Sequence, residues 1–221
     1  MIKSSCRILF LGKKENEFTQ QAAVYLQENC ASSTVFVADR NEVLPDYVLQ
    51  WEGDYIISFI SSWILPAELL AKAKIAAINF HPGSPEYPGT GCTNFAIYNN
   101  ESSYGVTCHH MQTSVDTGNI IRVTRFEVDK DETVFSLTQK CYTHLLQQFI
   151  EIFKVIANGE TLPIADETWK RKAYTRKDLN ALCEIKIDMP EEEIERRIKA
   201  STYQKAWAFI KVGKRVFTLQ S

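Results

Sequence analysis

The chain has 221 residues and a formal net charge of −2, and 45% of its residues are hydrophobic. This composition supports a folded core and excludes a largely disordered chain. No run of lysine and arginine is long enough to predict a nucleic-acid or membrane-binding surface. No stretch approaches the roughly 20 apolar residues that span a bilayer, and the N-terminal residues lack a signal-peptide pattern. We therefore expect a cytoplasmic protein with no nucleic-acid or membrane partner.

The cysteines are scattered, and none form a C-x-x-C pair. This spacing predicts neither a zinc site nor a disulfide framework, so reduced thiols are expected. The six positions are Cys6, Cys30, Cys92, Cys108, Cys141 and Cys183.

Apolar strands alternate with helices in the first part of the chain. Four strands are predicted, at residues 7–11, 34–38, 55–60 and 75–80. Helices are predicted to begin at Asn16 and after Pro66. This alternation predicts an α/β fold with a mostly parallel sheet covered on both faces. Sites in such sheets collect beyond the carboxyl ends of the strands, where Gly12, Ser61 and Asn79 fall.

The middle of the chain completes the predicted sheet. Strands at 104–110 and 119–128 are expected to be antiparallel because the connection between them is short. A helix is predicted at 93–99. The longest predicted helix, at 134–158, carries an apolar stripe at helical spacing and ends at Gly159. Residues 1–160 are therefore predicted to form the main domain.

The remainder of the chain is predicted to add a small unit. Residues 161–182 are charged and are expected to be an irregular linker on the surface. Residues 183–221 are expected to form a small C-terminal α+β module. Its strand is predicted at 185–187, its helix opens at Pro190, and a hairpin turns at Gly213 and Lys214.

Polar side chains gather around the end of the fourth predicted strand. Asn79 and His81 lie on the same face of that strand, because side chains alternate, and a loop rich in proline and glycine follows. Asp116 lies in a turn, and beside His81 it would fix the tautomer and favour the charged ring. The Asn79 amide can donate to a developing oxyanion. With no serine or cysteine in an elbow motif, this set indicates direct transfer of a carbonyl group between two bound substrates.

Two other interpretations fit the same residues. Asn79 and His81 could anchor the loop, and Asp116 could be an ordinary turn residue. The pair His109 and His110 could instead contribute to a metal site with His81 and Asp116. Neighbouring residues on a strand point to opposite faces, so at most one of the two joins His81. We expect no metal, and we expect the inward histidine to be a hydrogen-bonded support.

Four motifs occur in order: Asn79-x-His81-Pro82, Tyr87-x-Gly89, Gly105-Val106-Thr107-x-His109 and Asp116-x-Gly118-x-Ile120. Their order and spacing resemble the 10-formyltetrahydrofolate-dependent formyltransferases over residues 7–158. The resemblance implies a Rossmann-like domain with a mixed sheet, a catalytic triad of Asn79, His81 and Asp116, and 10-formyltetrahydrofolate as co-substrate. It also implies a folate site between two segments, namely Ser62, Trp63, Ile64 and Leu65, and Gln112, Thr113, Ser114 and Val115.

Within that family, the loop at residues 81–89, the linker at residues 174–179 and the short tail look most like the nucleotide-sugar N-formyltransferases. The loop at residues 12–16 departs from the phosphate loop of glycinamide ribonucleotide transformylase, and the acidic run at 191–193 does not suit tRNA. The resemblance therefore implies formylation of a nucleotide-linked deoxyamino sugar, of the pseudaminic-acid type or a dTDP-linked amino sugar, for surface polysaccharides. Formylation of glycinamide ribonucleotide or another amine, and hydrolysis of the formyl donor by the same triad, remain open.

The acceptor pocket is expected to lie on the side of Pro85, Glu86 and Tyr87. Lys13, Lys14 or Arg176 would meet the diphosphate, and Tyr203 or Trp207 would stack on the base. For the two lysines a solvated surface role also fits, as does a core role for the two aromatic residues. Exposed aromatic residues in the tail strands lead us to expect a homodimer.

Overall fold

The computed structural model describes residues 4–39 and 42–219 of the chain. Its central sheet contains six strands: β1 Ser4–Lys13, β2 Cys30–Ala38, β3 Gly53–Phe59, β4 Ala73–His81, β5 Ser103–His110 and β6 Ile120–Glu127. Their order across the sheet is β2-β1-β3-β4-β5-β6. The first four strands are parallel, whereas β5 and β6 join antiparallel. The predicted mixed α/β sheet is therefore confirmed.

Seven helices of the described chain surround this sheet. They are α1 Glu17–Asn29, α2 Asp46–Leu49, α3 Ala67–Leu70, α4 Cys92–Tyr98, α5 Val134–Ala157, α6 Arg176–Cys183 and α7 Glu191–Ser201. None of them combines the length and apolar character that a bilayer span requires.

The continuous apolar run of β1 is buried on both faces of the sheet. Ile8 and Phe10 belong to the larger core, which also contains residues of α1 and α5. Leu9 and Leu11 belong to a smaller core on the opposite face. Because successive side chains of a strand point to opposite faces, a strand between two layers must be apolar at every position.

Phe149 of α5 lies at the centre of the larger core. Its ring centroid is 5.9 Å from that of Phe10, 5.6 Å from that of Phe59 and 5.5 Å from that of Phe80. These three rings come from β1, β3 and β4, the three strands whose carboxyl ends define one edge of the sheet. One side chain therefore fixes the helix against all three strands.

The predicted linker contains a helix that we did not expect. Thr175 and Asp178 form a capping box at the start of α6, with the Asp178 amide donating to Thr175 Oγ1 over 3.2 Å. Leu179 and Leu182 are buried in the larger core. The Thr-x-x-Asp signal was present in the sequence, but the surrounding charges obscured it. Domain boundaries at residues 160 and 183 stay a prediction.

The predicted tail elements are all present. A second sheet contains β7 Glu184–Ile185, β8 Phe209–Val212 and β9 Arg215–Thr218 in the order β7-β8-β9. The strand expected at 185–187 is thus shorter and begins one residue earlier. Gly213 has a positive φ of 61°, a conformation that suits glycine in a tight hairpin turn. Phe217 on β9 is exposed, and the homodimer stays a prediction.

We expect Phe149→Ala to lower the free energy of unfolding by about 3–5 kcal/mol, because it removes a ring from a closely packed core and leaves a cavity. Urea unfolding followed by circular dichroism measures this loss. Val24→Ala, on the exposed side of α1, is the matched control, and its effect should stay below about 0.5 kcal/mol. Equal losses in the two variants would contradict the central place of Phe149.

Candidate active site

A cavity of about 550 Å³ opens at the carboxyl ends of β1, β3 and β4. This is the edge at which sites were expected, and the volume lies within the range of small-molecule pockets. Lys13, Ile60 and Asn79 bring the ends of the three strands to its wall. The loops that follow β3 and β5 complete the lining.

The two segments expected to hold the folate line this single cavity. Ser62, Trp63, Ile64 and Leu65 contribute after β3, and Gln112, Ser114 and Val115 contribute after β5, whereas Thr113 is not a lining residue. Ile64 is 70% exposed and Val115 is 40% exposed. Large apolar side chains left in water beside a cavity are suited to covering a flat apolar ligand.

Trp63 is fixed in place by protein contacts. Its ring centroid lies 5.4 Å from that of Phe36, and its Nε1 donates to the backbone carbonyl of Glu42 over 3.0 Å. The side chain therefore anchors its own segment while it also forms part of the cavity wall.

Asp116 is the buried centre of the polar cluster. Its Oδ2 accepts from the Gly89 amide over 2.7 Å and lies 3.3 Å from His81 Nδ1. Its Oδ1 lies 3.1 Å from His109 Nε2. The residue is only 7% exposed, so these protein donors replace water around the carboxylate.

His109 links Asn79 to this carboxylate. Its Nδ1 donates to the backbone carbonyl of His110 over 2.8 Å, which directs Nε2 inward. Asn79 Nδ2 lies 3.1 Å from that Nε2, which also faces Asp116 Oδ1; one ring nitrogen can accept from the amide or donate to the carboxylate, but not both. His109, which we expected as a hydrogen-bonded support, lies between Asn79 and Asp116. The three residues predicted as a triad line one cavity. Their catalytic roles stay a prediction.

Both ring nitrogens of His81 face oxygen acceptors. Nε2 lies 3.0 Å from the Tyr87 carbonyl, and Nδ1 faces Asp116. A neutral imidazole can donate only one hydrogen bond, whereas an imidazolium ion satisfies both acceptors. The ring is therefore held at both ends.

The charge state of Asp116 follows from its surroundings. Burial raises the pKa of the carboxyl, but the electrostatic interaction with His81 and the hydrogen bonds from His109 and Gly89 outweigh it. The net result is a pKa well below the ordinary value. Asp116 also has a φ of +48°, the left-handed conformation that aspartate tolerates better than most residues. The site therefore holds a fixed anion at neutral pH.

The residues expected to bind the acceptor separate into two groups. Lys13 and Arg176 line the cavity. Lys14 does not; its Nζ lies 4.0 Å from Glu42 Oε1. Tyr203 and Trp207 stack on each other with centroids 6.2 Å apart and also lie outside the lining.

Pro85, Glu86 and Tyr87 do not line the cavity either. The Tyr87 ring is buried, and its hydroxyl donates to Glu101 Oε1 over 2.5 Å. Glu86 forms a two-pronged ion pair with Arg125, with distances of 2.8 and 3.1 Å. These three residues therefore lie outside the cavity lining, and their contact with substrate stays a prediction.

Sequence reasoning missed Trp169. It lies in the predicted linker, yet its Nε1 donates to the Gly118 carbonyl over 2.8 Å, and its ring centroid lies 5.0 Å from that of His109. A single tryptophan in a charged segment carries no periodic signal. Only the three-dimensional contacts identify it.

Comparison with known proteins shows the family of this chain. Residues 9–152 match the family described as formyl transferase, and the chain belongs to that family. Over 124 residues it is 29% identical to GDP-perosamine N-formyltransferase from Brucella melitensis, covering 56% of this chain and 48% of that protein. Over 179 residues it is 28% identical to methionyl-tRNA formyltransferase from Ehrlichia ruminantium, covering 80% and 56%. The chain thus spans about half the length of these curated relatives.

A solved structure shares the fold over most of its length. It is an N-formyltransferase from Helicobacter canadensis in complex with folinic acid and dTDP-3-aminofucose. The TM-score is 0.71 at 20% identity, and the match covers 97% of this chain and 85% of the other. The Rossmann-like formyltransferase fold implied by the sequence motifs is therefore confirmed.

Asp116→Asn should weaken the fold in a pH-dependent way. The folded-state pKa is lower than the unfolded value, so the ionised carboxylate stabilises the protein above about pH 4, and this contribution is lost as the pH falls further. Removal of one partner from a buried charge cluster costs about 3 kcal/mol at pH 7. Urea unfolding of the parent and the variant between about pH 3 and pH 7 measures the difference in their free energies of unfolding. A difference that stays constant with pH would refute the assigned role of the Asp116 charge.

Proposed function

We propose that the chain transfers a formyl group from 10-formyltetrahydrofolate to the amino group of a nucleotide-linked deoxyamino sugar. One observation carries the proposal: a single cavity joins the two expected folate segments to Asn79, His81 and Asp116. An activated carbonyl and an amine could meet there beside a fixed hydrogen-bond donor and a fixed anion.

The lining residues fit a folate. Ile64, Val115 and the fixed ring of Trp63 offer apolar surface for a pterin ring. Strand ends and loop backbones at the same wall offer hydrogen-bonding groups for the polar edge of the ring. When bound, the co-substrate supplies an activated formyl carbonyl.

The polar residues have distinct roles in this proposal. Asn79 donates its amide hydrogen to the carbonyl oxygen as that oxygen gains charge. His81 lies beside the same oxygen, and its contacts with the Tyr87 carbonyl and Asp116 fix the orientation of its ring. Asp116 already accepts from protein donors on both oxygens, so it assists removal of the amine proton through a water molecule. The amine nitrogen bonds to the formyl carbon, the bond from that carbon to the folate nitrogen breaks, and the folate nitrogen leaves with a proton.

The nature of the acceptor is argued from the relatives and from charge. One curated relative is named for GDP-perosamine, and the Helicobacter structure contains dTDP-3-aminofucose. Another relative is named for methionyl-tRNA. The first turn of α7 carries Glu191, Glu192 and Glu193, which would repel a phosphate backbone. We therefore propose that the acceptor is a small nucleotide sugar. We also propose that the reaction serves surface polysaccharide synthesis in the cytoplasm and that the protein is a homodimer.

Asn79→Ala should lower kcat by about 10²–10³-fold, because it removes a donor to the developing oxyanion. The measurement is mass spectrometry of UDP-, GDP- and dTDP-amino sugars incubated with the formyl donor, read as a gain of one formyl group. Asn99→Ala is the matched control, since Asn99 donates to the Tyr87 hydroxyl outside the cavity. Its turnover should equal that of the parent.

Two outcomes of that assay would reject the proposal. Release of formate without any acceptor amine would indicate a hydrolase that uses the same residues. Formylation of charged methionyl-tRNA, with no amino sugar modified, would indicate a tRNA-directed enzyme. Normal turnover of Asn79→Ala would remove the assigned role of the amide.

Lys13→Ala should raise the KM for the nucleotide sugar about tenfold and leave the KM for the folate unchanged. Lys13 lines the cavity, where its ammonium group can pair with a diphosphate oxygen. Lys14→Ala provides the comparison, because this neighbouring lysine does not line the cavity. If both variants raise the KM equally, a general surface charge rather than a specific contact is responsible.

A further inference from the structure

The segment between α5 and α6 crosses the loop that follows β4. We call residues 160–175 the strap and residues 82–91 the loop. Lys170 N donates to the Pro85 carbonyl over 3.0 Å, and Tyr174 N donates to the Pro88 carbonyl over 2.8 Å. In return, Thr90 N donates to the Tyr174 carbonyl over 2.8 Å. The strap is therefore bonded to the loop through its backbone.

Side chains strengthen this attachment. Arg125 of β6 pairs with Glu86 of the loop over 2.8 Å and also forms an ion pair with Glu167 of the strap. The Arg125 guanidinium group thus joins the two segments, and its partner in the strap, Glu167, lies two residues before Trp169. The position of that ring is consequently defined by bonds on either side of it.

Trp169 lies against the buried histidines from outside the cavity. Its ring centroid is 5.0 Å from that of His109 and 6.0 Å from that of His81, with interplanar angles of 87° and 73°. Both histidines line the cavity, but Trp169 does not. The indole therefore contacts the two imidazoles but is not part of the cavity lining.

The same indole holds the turn that carries Asp116. Its Nε1 donates to the Gly118 carbonyl over 2.8 Å. Gly118 has no space for a side chain, because a Cβ atom there would lie 1.9 Å from the His110 carbonyl oxygen. A turn that is this crowded, and that contains an aspartate at positive φ, depends on its hydrogen bonds to keep one conformation.

We propose that Trp169 is a positioning residue of the active site, which holds His109 and the Asp116 turn in register with Asn79 and His81. Its kinetic consequence rests on the proposed formyl transfer. Its structural consequence does not, because the arrangement of the imidazoles can be observed without turnover.

The kinetic test compares three variants. Trp169→Ala removes both the ring and the N–H donor and should lower kcat about tenfold or more, with the dissociation constant for the folate within about twofold. Trp169→Phe keeps a ring and should recover part of that loss. Leu162→Ala loosens the strap at another partly buried position, and it should lower Tm while kcat stays at the parental value.

The spectroscopic test does not require activity. The chain has four histidines, so ¹⁵N-labelled histidine gives a simple long-range ¹H–¹⁵N spectrum. In Trp169→Ala the ring-nitrogen shifts of His81 and His109 should move toward those of a histidine ring free in water, while those of His144 stay fixed. Leu162→Ala should give the parental spectrum.

The outcomes separate the two proposals. If the parent protein transfers no formyl group to any acceptor, the proposed function fails, and the spectrum alone decides the role of Trp169. Unchanged nitrogen shifts in Trp169→Ala would overturn the positioning role. An active parent with equal losses of kcat in Trp169→Ala and Leu162→Ala would also overturn it, because the strap as a whole would then be responsible.

Discussion

A buried carboxylate that must find donors within the protein is the constraint on which the candidate site depends. Asp116 has almost no contact with water, and its two oxygens are satisfied by two imidazoles and the Gly89 amide. Those partners come from β4, from β5 and from the loop after β4. If any of these elements moved away, an uncompensated buried charge would remain, at a cost of several kcal/mol. The anion therefore joins separate parts of the chain at one edge of the sheet.

The sheet was predictable because its strands are buried on both faces. Such strands appear as short continuous apolar runs, and the alternation with helices indicates the parallel order. The convergence of Asn79, His81 and Asp116 was predictable from short motifs at strand ends. In each case the information is local, or it follows from a general rule about where parallel strands end.

The features that the sequence did not reveal have a common physical cause. Pro85, Glu86 and Tyr87 follow His81 closely, yet the direction of each side chain depends on distant partners such as Arg125 and Glu101. The strap has no periodic pattern, because its structure comes from backbone bonds to another loop. Neither the capping box of α6 nor the contacts of Trp169 could be separated from the surrounding charges in the sequence alone.

The strap also affects how this fold can be recombined. The family match ends at residue 152, inside α5, but the bonds from the strap return to the loop and to the turn around Gly118. In a chimera joined just after α5, the strap that contacts His81 and His109 would come from a different protein than the histidines themselves. Exchange of C-terminal segments among relatives is therefore limited less by the tail itself than by the few residues that reach back across the junction, and a compatible breakpoint would lie beyond Tyr174.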